Sequence, residues 1–264
     1  MQVVRYYDEC LPYYRVGWGS LRNLCIHYGY HEDGLSHDRA LIRMVEVLAE
    51  KARITREDKV LDAGCGLGGA SIWLAQNIGC EVWALDINPN LVFLAAREAE
   101  KRGLEITFYV GNFERMPLLQ RFTVVWFLES FCYAVDKART LKEASRVLLP
   151  GGRVVIADAC RADGVDLDLT GWAVPGIPTE REFIRYAEEA GFRPVLFEDI
   201  SEKVEPSSRR IRNLAVLTYP LAWLLYLLRL KSRVTLEHTR LALRQYEYGR
   251  EGRGKYFIFV GAKQ

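Results

Sequence analysis

The segment VLDAGCGLGGASIWLA, residues 60–75, most constrains the fold, because an apolar run leads through a glycine-rich loop into a helix-period pattern. The spacing Gly64-x-Gly66-x-x-Gly69 removes side chains where backbone N–H groups approach a polar ligand. Asp86 ends the next apolar run, VWALD, about twenty residues on, where a carboxylate can accept hydrogen bonds from both ribose hydroxyls. The pattern indicates an α/β protein that binds a nucleotide-like cofactor.

The order of elements supports this fold class. Short apolar runs alternate with helix-period segments and predict strands at 59–63, 80–86, 105–110, 122–128, 153–158, 195–200 and 256–261. Helices are expected at 70–78, 89–102, 137–147 and 179–190, with Asp136 and Thr179 capping the last two. We therefore predict a Rossmann-like, doubly wound, mostly parallel seven-stranded sheet. Its last strand has no helix after it and is expected to lie antiparallel at the edge.

Two segments lie outside this alternation. Residues 1–58 are rich in Tyr and Trp and end in a helical stripe of Ala40, Leu41, Met44, Val45 and Leu48. Residues 201–255 separate the last two strands. The expected organisation is an N-terminal aromatic and helical cover (1–58), a cofactor-binding core (59–200), a helical lid insertion (201–255) and the last core strand (256–264).

Composition narrows the class of partner. A chain of 264 residues and 30.3 kDa can bury one sizeable core, and a net charge of +2 does not indicate nucleic acid. Six cysteines without CxxC spacing, and an N-terminus without an apolar leader, predict a cytoplasmic protein. No metal site is predicted, because His31 and His37 lack ligand spacing with the acids nearby.

The apolar run at 214–228 carries no charge and contains Pro220. It is shorter than the roughly 20 residues that a membrane span needs, so a buried or lid helix is expected. Basic flanks beside Trp223 and Tyr226 leave peripheral membrane contact through 214–228 as an alternative.

The glycine loop alone is compatible with a nicotinamide dinucleotide. Tyr133 and Lys137 even have the spacing of the Tyr-x-x-x-Lys pair of short-chain dehydrogenases. That pair belongs on one helix face, whereas a cap at Asp136 would leave Tyr133 ahead of the helix. A dehydrogenase is therefore disfavoured.

Five landmarks in order resemble the class I S-adenosylmethionine-dependent methyltransferases: LDAGCGLGG, DINPN, VGNFERMPL, FTVVWFLESFCYAVDK and ASRVLLPGGRVVIAD. The resemblance implies S-adenosylmethionine as cofactor. It also implies that Gly64, Gly66 and Gly68 shape the methionine side of the pocket, with Asp62 near the ammonium group. Ribose would be bound by Asp86, and adenine by Ile87, Asn112 and the backbone N–H of Phe113.

The segment HYGYHEDGLSHDRALIRMVE (27–46), together with LESFCYAVDK and GWAVPGIPTEREFIRYAEEAGF, is similar to tocopherol and sterol C-methyltransferases. This implies methyl transfer to carbon of an apolar, isoprenoid-type molecule, with His27 and Tyr28 beside the methionine carboxylate. Glu129 would be the base or cation stabiliser, although a purely structural role stays open. Tyr133 would orient Glu129, donate to the substrate, or line the pocket.

Alternatives to carbon methylation remain at this point. They are an O-methyltransferase of a phenolic or polyketide product, and a pericyclase-like scaffold that binds the cofactor without methyl transfer. We expect the substrate pocket to be lined by Tyr14, Trp18, Trp172, Trp223 and Leu227. Arg209, Arg210 and Arg212 would either meet a diphosphate or form a solvated basic face. The acceptor's identity and the oligomeric state are left open.

Overall fold

The computed structural model describes residues 2–15, 23–119 and 121–264. Seven strands form one sheet in the order β3-β2-β1-β4-β5-β7-β6. They are β1 Lys59–Ala63, β2 Glu81–Asp86, β3 Ile106–Val110, β4 Phe122–Leu128, β5 Leu148–Arg161, β6 Phe192–Asp199 and β7 Gly254–Lys263. The pairs from β3 across to β5 are parallel. The predicted doubly wound, Rossmann-like sheet is confirmed.

Eight α-helices accompany the sheet within the described residues. They are α1 Gln2–Tyr13, α2 His37–Lys51, α3 Gly69–Trp73, α4 Pro89–Lys101, α5 Lys137–Val147, α6 Glu180–Glu189, α7 Ser201–Leu227 and α8 Arg233–Arg250. A wider helical turn, Leu74–Ile78, prolongs α3. Asp136 accepts from the Arg139 N–H, and Thr179 forms a reciprocal capping box with Glu182, so both predicted caps are confirmed.

The position of β7 differs from the prediction. It is antiparallel, as expected, but it lies between β5 and β6 and pairs with both, so β6 is the edge strand. The physical reason is burial: Tyr256 to Val260 form a continuous apolar run that is covered on both faces. In β6, by contrast, several side chains are exposed, as an edge strand permits.

The core fills both faces of the sheet. On one face, the predicted stripe of α2 is fully buried, and Met44 and Leu48 pack with Val60, Trp126 and Ile258. On the other face, α5 and α6 pack against strand residues such as Phe127, Phe192 and Phe259. The sheet is therefore a rigid base for the loops that follow its strands.

The two additions to the core contact each other. Tyr6, Cys10 and Tyr14 of the N-terminal segment form a buried cluster with Ile211 and Ala215 of α7 and Ala242 of α8. Because α7 and α8 connect β6 to β7, this cluster ties the beginning of the chain to its last hairpin of helices. None of the helices within the described residues combines the length and apolar character needed to cross a bilayer.

Candidate active site

The glycine loop after β1 forms the floor of one cavity. Gly64 and Gly66 have φ values of +91° and +54°, which side chains rarely adopt. A Cβ on Gly64 would lie 2.3 Å from the Ser130 Cβ, so glycine lets this loop meet the end of β4. Gly68 differs, because its Cβ would meet Ala95 of α4 at 2.9 Å and it does not line the cavity. The prediction that Gly68 shapes the pocket is therefore corrected: it packs the loop on α4.

This glycine-loop cavity has a volume of about 300 Å³. It is bounded by the carboxyl ends of the first four strands and by the N-terminal segment. The predicted residues that line it are His27, Asp62, Gly64, Gly66, Asp86, Ile87, Asn112, Phe113, Glu129 and Tyr133.

Asp86 is held at the end of β2 by two backbone donors. The N–H of Gly66 donates to Oδ2 at 2.9 Å, and the N–H of Asn88 donates to Oδ1 at 2.8 Å. Burial raises the pKa of this carboxyl, and the two N–H groups act in the opposite direction. Each oxygen keeps a second lone pair, so the fixed carboxylate suits a diol such as the ribose hydroxyls.

Asp62 and His27 are two further polar side chains that line this cavity. Asp62 accepts from the Ser71 hydroxyl at 2.5 Å, and burial raises its pKa to about 7. The Nδ1 of His27 lies 2.9 Å from the Tyr28 carbonyl oxygen and must donate to it. Burial lowers the pKa of His27 to about 4, so the ring is neutral and its Nε2 is an acceptor. That buried atom has no hydrogen-bond partner among the described residues.

The adenine side of the predicted site is less enclosed. Asn112 is exposed, and its side-chain oxygen accepts from the Glu114 N–H at 2.8 Å, which closes a local turn. Its remaining lone pair is available to a second donor. The Phe113 ring packs edge-on against Phe127 at 5.7 Å, which fixes the chain beside Gly64.

A second cavity, also of about 300 Å³, adjoins the first and is lined mainly by aromatic and aliphatic side chains. Tyr14 and Trp172 line this aromatic cavity, in agreement with their predicted position. Tyr28 also lines the aromatic cavity. The sequence resemblance predicts Tyr28 beside the cofactor, but its side chain does not line the glycine-loop cavity. Its hydroxyl donates to Gln245 of α8 at 2.8 Å, which turns the ring away from the glycine loop.

Two predicted wall residues lie elsewhere. Trp223 and Leu227 are 51% and 52% exposed on α7, and neither lines the two cavities of the described structure. Their prediction as substrate-pocket residues is corrected. The lining part of α7 is its first two turns, Ser201 to Ser208, about 22 Å of helix before Trp223. Trp18 lies outside the described residues.

Four residues line both cavities: Tyr7, Ile26, Glu129 and Tyr133. Glu129 follows β4 with a φ of +51°, and its backbone N–H donates to the Ala157 oxygen. Its Oε1 accepts from the Tyr28 N–H at 2.5 Å and from the Tyr256 hydroxyl at 2.8 Å. Burial raises the pKa of Glu129 to about 8. A carboxyl that changes charge near neutral pH thus stands where the cavities meet.

A network of hydroxyl groups surrounds Tyr133. The Tyr7 hydroxyl donates to that of Tyr133 at 3.0 Å, and the hydroxyls of Tyr6 and Tyr14 lie 2.7 Å apart. Tyr6 also lies 2.8 Å from Nδ1 of the buried His238. Burial raises the pKa of Tyr133 well above its ordinary value, so its hydroxyl stays protonated. Tyr133 and Lys137 do not share a helix, since the short turn Phe131–Tyr133 ends before α5.

Sequence reasoning missed two functional candidates on the neighbouring strands. Asp158 of β5 lines the aromatic cavity, accepts from the Cys132 and Ala159 N–H groups, and has a pKa raised by burial to about 6. Tyr256 of β7 supplies the hydroxyl that holds Glu129. Only the acidic end of VVIAD could have signalled Asp158, and nothing local distinguishes Tyr256. Among the described residues, no group of His, Cys, Asp or Glu converges to hold a metal ion.

Comparison with known proteins decides the family. Residues 60–152 match a family model described as a methyltransferase domain. Methyltransferase GfsG of Streptomyces halstedii is 32% identical over 197 residues, which cover 69% of this chain and 70% of that protein. The chain belongs to the class I S-adenosylmethionine-dependent methyltransferases. Its cofactor is S-adenosylmethionine, as the five sequence landmarks predict.

Two further comparisons bear on function and fold. Sterol 24-C-methyltransferase ERG6 of Saccharomyces cerevisiae is 32% identical over 164 residues, which cover 61% of this chain and 42% of that enzyme. The crystal structure of the [4+2]-cyclase SpnF superposes with a TM-score of 0.82 at 20% identity, over 99% of this chain and 94% of that one. The second likeness establishes the fold alone.

The residues of the glycine-loop cavity fit this methyltransferase's cofactor. The unpartnered Nε2 of His27 and the carboxyl of Asp62 are acceptors, and they complement the donors of a methionine ammonium group. The place of His27 beside the methionine carboxylate, which the sequence resemblance implies, stays a prediction. Gly64, Gly66 and Asp86 line the same cavity, and the fixed Asp86 carboxylate offers two acceptor oxygens that suit a diol such as ribose.

Proposed function

We propose that this methyltransferase transfers the methyl group to a carbon atom of an apolar, isoprenoid-type small molecule. The observation that carries the proposal is the position of Glu129, which lines both cavities. The glycine-loop cavity would hold S-adenosylmethionine, and the aromatic cavity would hold the acceptor. The reacting atoms would then meet beside the Glu129 carboxyl group and the side chains of Tyr7 and Tyr133.

The cofactor, when bound, supplies a methyl group on a positively charged sulfur. An alkene carbon is a weak nucleophile, so catalysis depends on alignment of the two molecules and on exclusion of water. Tyr7, Ile26 and Tyr133 line both cavities. In this proposal these three side chains surround the opening between the two cavities, where the acceptor carbon reaches the methyl group.

Methylation of an alkene carbon would form a new C–C bond as the S–CH3 bond of the cofactor breaks, so that the demethylated cofactor leaves with that electron pair and a carbocation remains on the acceptor. Tyr7, Tyr14 and Tyr28 line the aromatic cavity, and their rings would stabilise that charge. The Glu129 carboxylate would stabilise it further and then accept the proton whose C–H electrons restore the double bond.

The charge state of Glu129 suits this role. Its pKa of about 8 leaves the Glu129 side chain mostly protonated at neutral pH when no charged ligand is bound. A positive charge at the meeting point of the cavities favours the carboxylate and lowers that pKa. Glu129 would therefore become a base when a cationic ligand is present. The sterol relative is named for methylation at carbon and the tocopherol relatives for methylation at oxygen, so the choice of carbon rests on the position of Glu129.

Asp158 favours a second candidate, methylation of a hydroxyl group. It lines the aromatic cavity as a second buried carboxyl, and its pKa of about 6 leaves it mostly ionised at neutral pH. Such a carboxylate could accept the proton of a phenol or an alcohol during transfer to oxygen. Product structure separates the two candidates.

The test uses the purified protein, methyl-labelled cofactor and a panel of prenyl diphosphates, free polyprenes, quinols, sterols and phenols. We expect labelled product only from apolar acceptors, with the methyl carbon bonded to carbon by NMR. A methyl ether would establish the second candidate instead. Cofactor binding without any labelled product, across acceptors that bind, would indicate a scaffold.

A further inference from the structure

The end of the α7–α8 hairpin exposes an apolar surface that neither cavity uses. Of residues 214–228, only Ala215 and Ala222 are buried, and Ala215 packs with Ala242 of α8. The large side chains point outward instead, and Leu217 is 78% exposed. The exposed members of this hairpin tip are Val216, Leu217, Leu221, Trp223, Leu224, Tyr226, Leu227, Leu228 and Leu230.

Such a surface needs a partner. Soluble monomers rarely expose contiguous apolar patches larger than a few hundred Å². The exposed side chains of the tip are not members of the buried cluster that joins α7 to α8. Trp223 and Tyr226 are aromatic residues of the kind that settle at a lipid headgroup boundary.

The charge around the tip indicates which partner. Between Glu205 and Glu237 the sequence has no acidic residue and six basic ones: Arg209, Arg210, Arg212, Arg229, Lys231 and Arg233. Three precede the apolar run and three follow it. Basic groups on both sides of an apolar surface complement an anionic lipid layer. A second copy of the same positively charged tip would be repelled.

A groove on the same helix supports a lipid partner. It is lined by residues of α7 alone, namely Pro206, Arg209, Arg210, Asn213, Leu214 and Leu217. Its volume is about 310 Å³, and it is open to solvent. Guanidinium groups next to leucines match the phosphate and the first acyl carbons of an anionic phospholipid.

We infer that the hairpin tip docks on the surface of an anionic phospholipid bilayer. Trp223, Leu224 and Leu227 enter the headgroup boundary, while the six basic residues contact lipid phosphates. The contact is peripheral, and it holds the aromatic cavity near a membrane without forming its wall. This inference does not depend on which acceptor is methylated.

The test is flotation of the full-length protein with vesicles of phosphatidylcholine alone or with a third of phosphatidylglycerol. We expect at least ~10-fold stronger binding to the anionic vesicles, decreasing as salt rises. The tip variant Trp223→Ser/Leu227→Ser should bind roughly 10-fold more weakly. Phe93→Ser/Val195→Ser is the matched control, because these side chains are 60% and 58% exposed elsewhere and should leave binding unchanged.

Charge is tested separately. Arg229→Gln/Lys231→Gln should weaken binding to anionic vesicles roughly 10–30-fold, whereas the exposed pair Arg181→Gln/Arg185→Gln on α6 should not. Equal binding of the wild type and the tip variant would overturn the inference. So would a wild-type dimer that the tip variant converts to a monomer in light scattering, because a second copy would then cover the tip.

Discussion

The Tyr256 hydroxyl donates a hydrogen bond to Oε1 of Glu129 at 2.8 Å, across 127 positions of sequence. Tyr256 belongs to β7, and its neighbour in the sheet is Ala159 of β5. Insertion of β7 between β5 and β6 therefore brings this hydroxyl to the boundary of the two cavities. The last strand of the fold holds the side chain on which the proposed chemistry depends.

Replacing Glu129 with Gln should separate binding from chemistry. The amide keeps the size of the side chain but cannot accept a proton, so we expect turnover to fall by ~100-fold or more. Cofactor affinity, measured by calorimetry, should change little, since Asp86 and the glycine loop are untouched. Unchanged turnover would assign Glu129 a structural role.

Tyr256→Phe should move the pH dependence of that turnover. The Tyr256 hydroxyl lowers the pKa of Glu129, because it hydrogen-bonds to the charged form. Without it the pKa of Glu129 rises, so the rise of turnover with pH should occur at higher pH, and activity at pH 7 should fall several-fold. Tyr186→Phe on α6 is the control. A uniform loss at every pH would indicate misfolding of the site and contradict this positioning role.

Glu129 should also leave a signature in the pH dependence of stability. Its pKa rises from 4.5 to about 8 on folding, so the folded state holds its proton more tightly than the unfolded state. The contribution of Glu129 to the free energy of unfolding is therefore lost as pH rises from about 4.5 to about 8. Glu129→Gln removes that loss, and its melting temperature relative to the wild type should be several degrees higher at pH 9 than at pH 5, at ~2–4 °C per kcal/mol. Asp62 is present in both proteins and cancels in the comparison, whereas the charge of Asp158 contributes to the raised pKa of Glu129 and is part of the difference that is measured.

Cofactor binding should stabilise the protein in a way that depends on Asp86. A ligand at a hundredfold excess over its Kd adds about 2.7 kcal/mol to the free energy of unfolding. S-adenosylmethionine should therefore raise the melting temperature, and NAD or NADP should not. Asp86→Ala should remove most of the rise, whereas Asp163→Ala, an exposed aspartate after β5, should retain it. A rise specific to nicotinamide cofactors would contradict the site assignment.

The sheet and the cofactor loop could be predicted because their signals are local. A glycine loop between an apolar strand and a helix leaves few alternatives, and the acid at the end of β2 must face the same edge. Local signals do not reveal which neighbour lies against each glycine of the loop. The sequence therefore could not distinguish Gly68 from Gly64. Only the contact with Ala95 of α4 separates them.

The covers could not be predicted to the same depth. An uncharged run such as 214–228 predicts an apolar helix but not what surrounds it, so Trp223 and Leu227 could equally face a pocket or solvent. Tyr28 follows His27 directly, yet the chain turns between them and sends the two side chains to different cavities. Both outcomes depend on long-range packing against α7 and α8.

Two tryptophans should distinguish the acceptor site from the hairpin tip. Trp172 lines the aromatic cavity and donates from its indole N–H to the His238 carbonyl at 3.2 Å. Trp172→Phe removes this hydrogen bond and part of the wall, so we expect the KM for the acceptor to rise ~10-fold or more, since the lost contacts bind the acceptor itself. The cofactor-dependent rise in melting temperature should persist, because Trp172 does not line the glycine-loop cavity.

Trp223→Phe is the matched control, and it should leave both the KM for the acceptor and the rise in melting temperature unchanged when the acceptor is dispersed in solution. A larger effect at Trp223 than at Trp172 would return the apolar run to the wall of the acceptor site, and loss of cofactor binding in a folded Trp172 variant would mean that the two cavities are one.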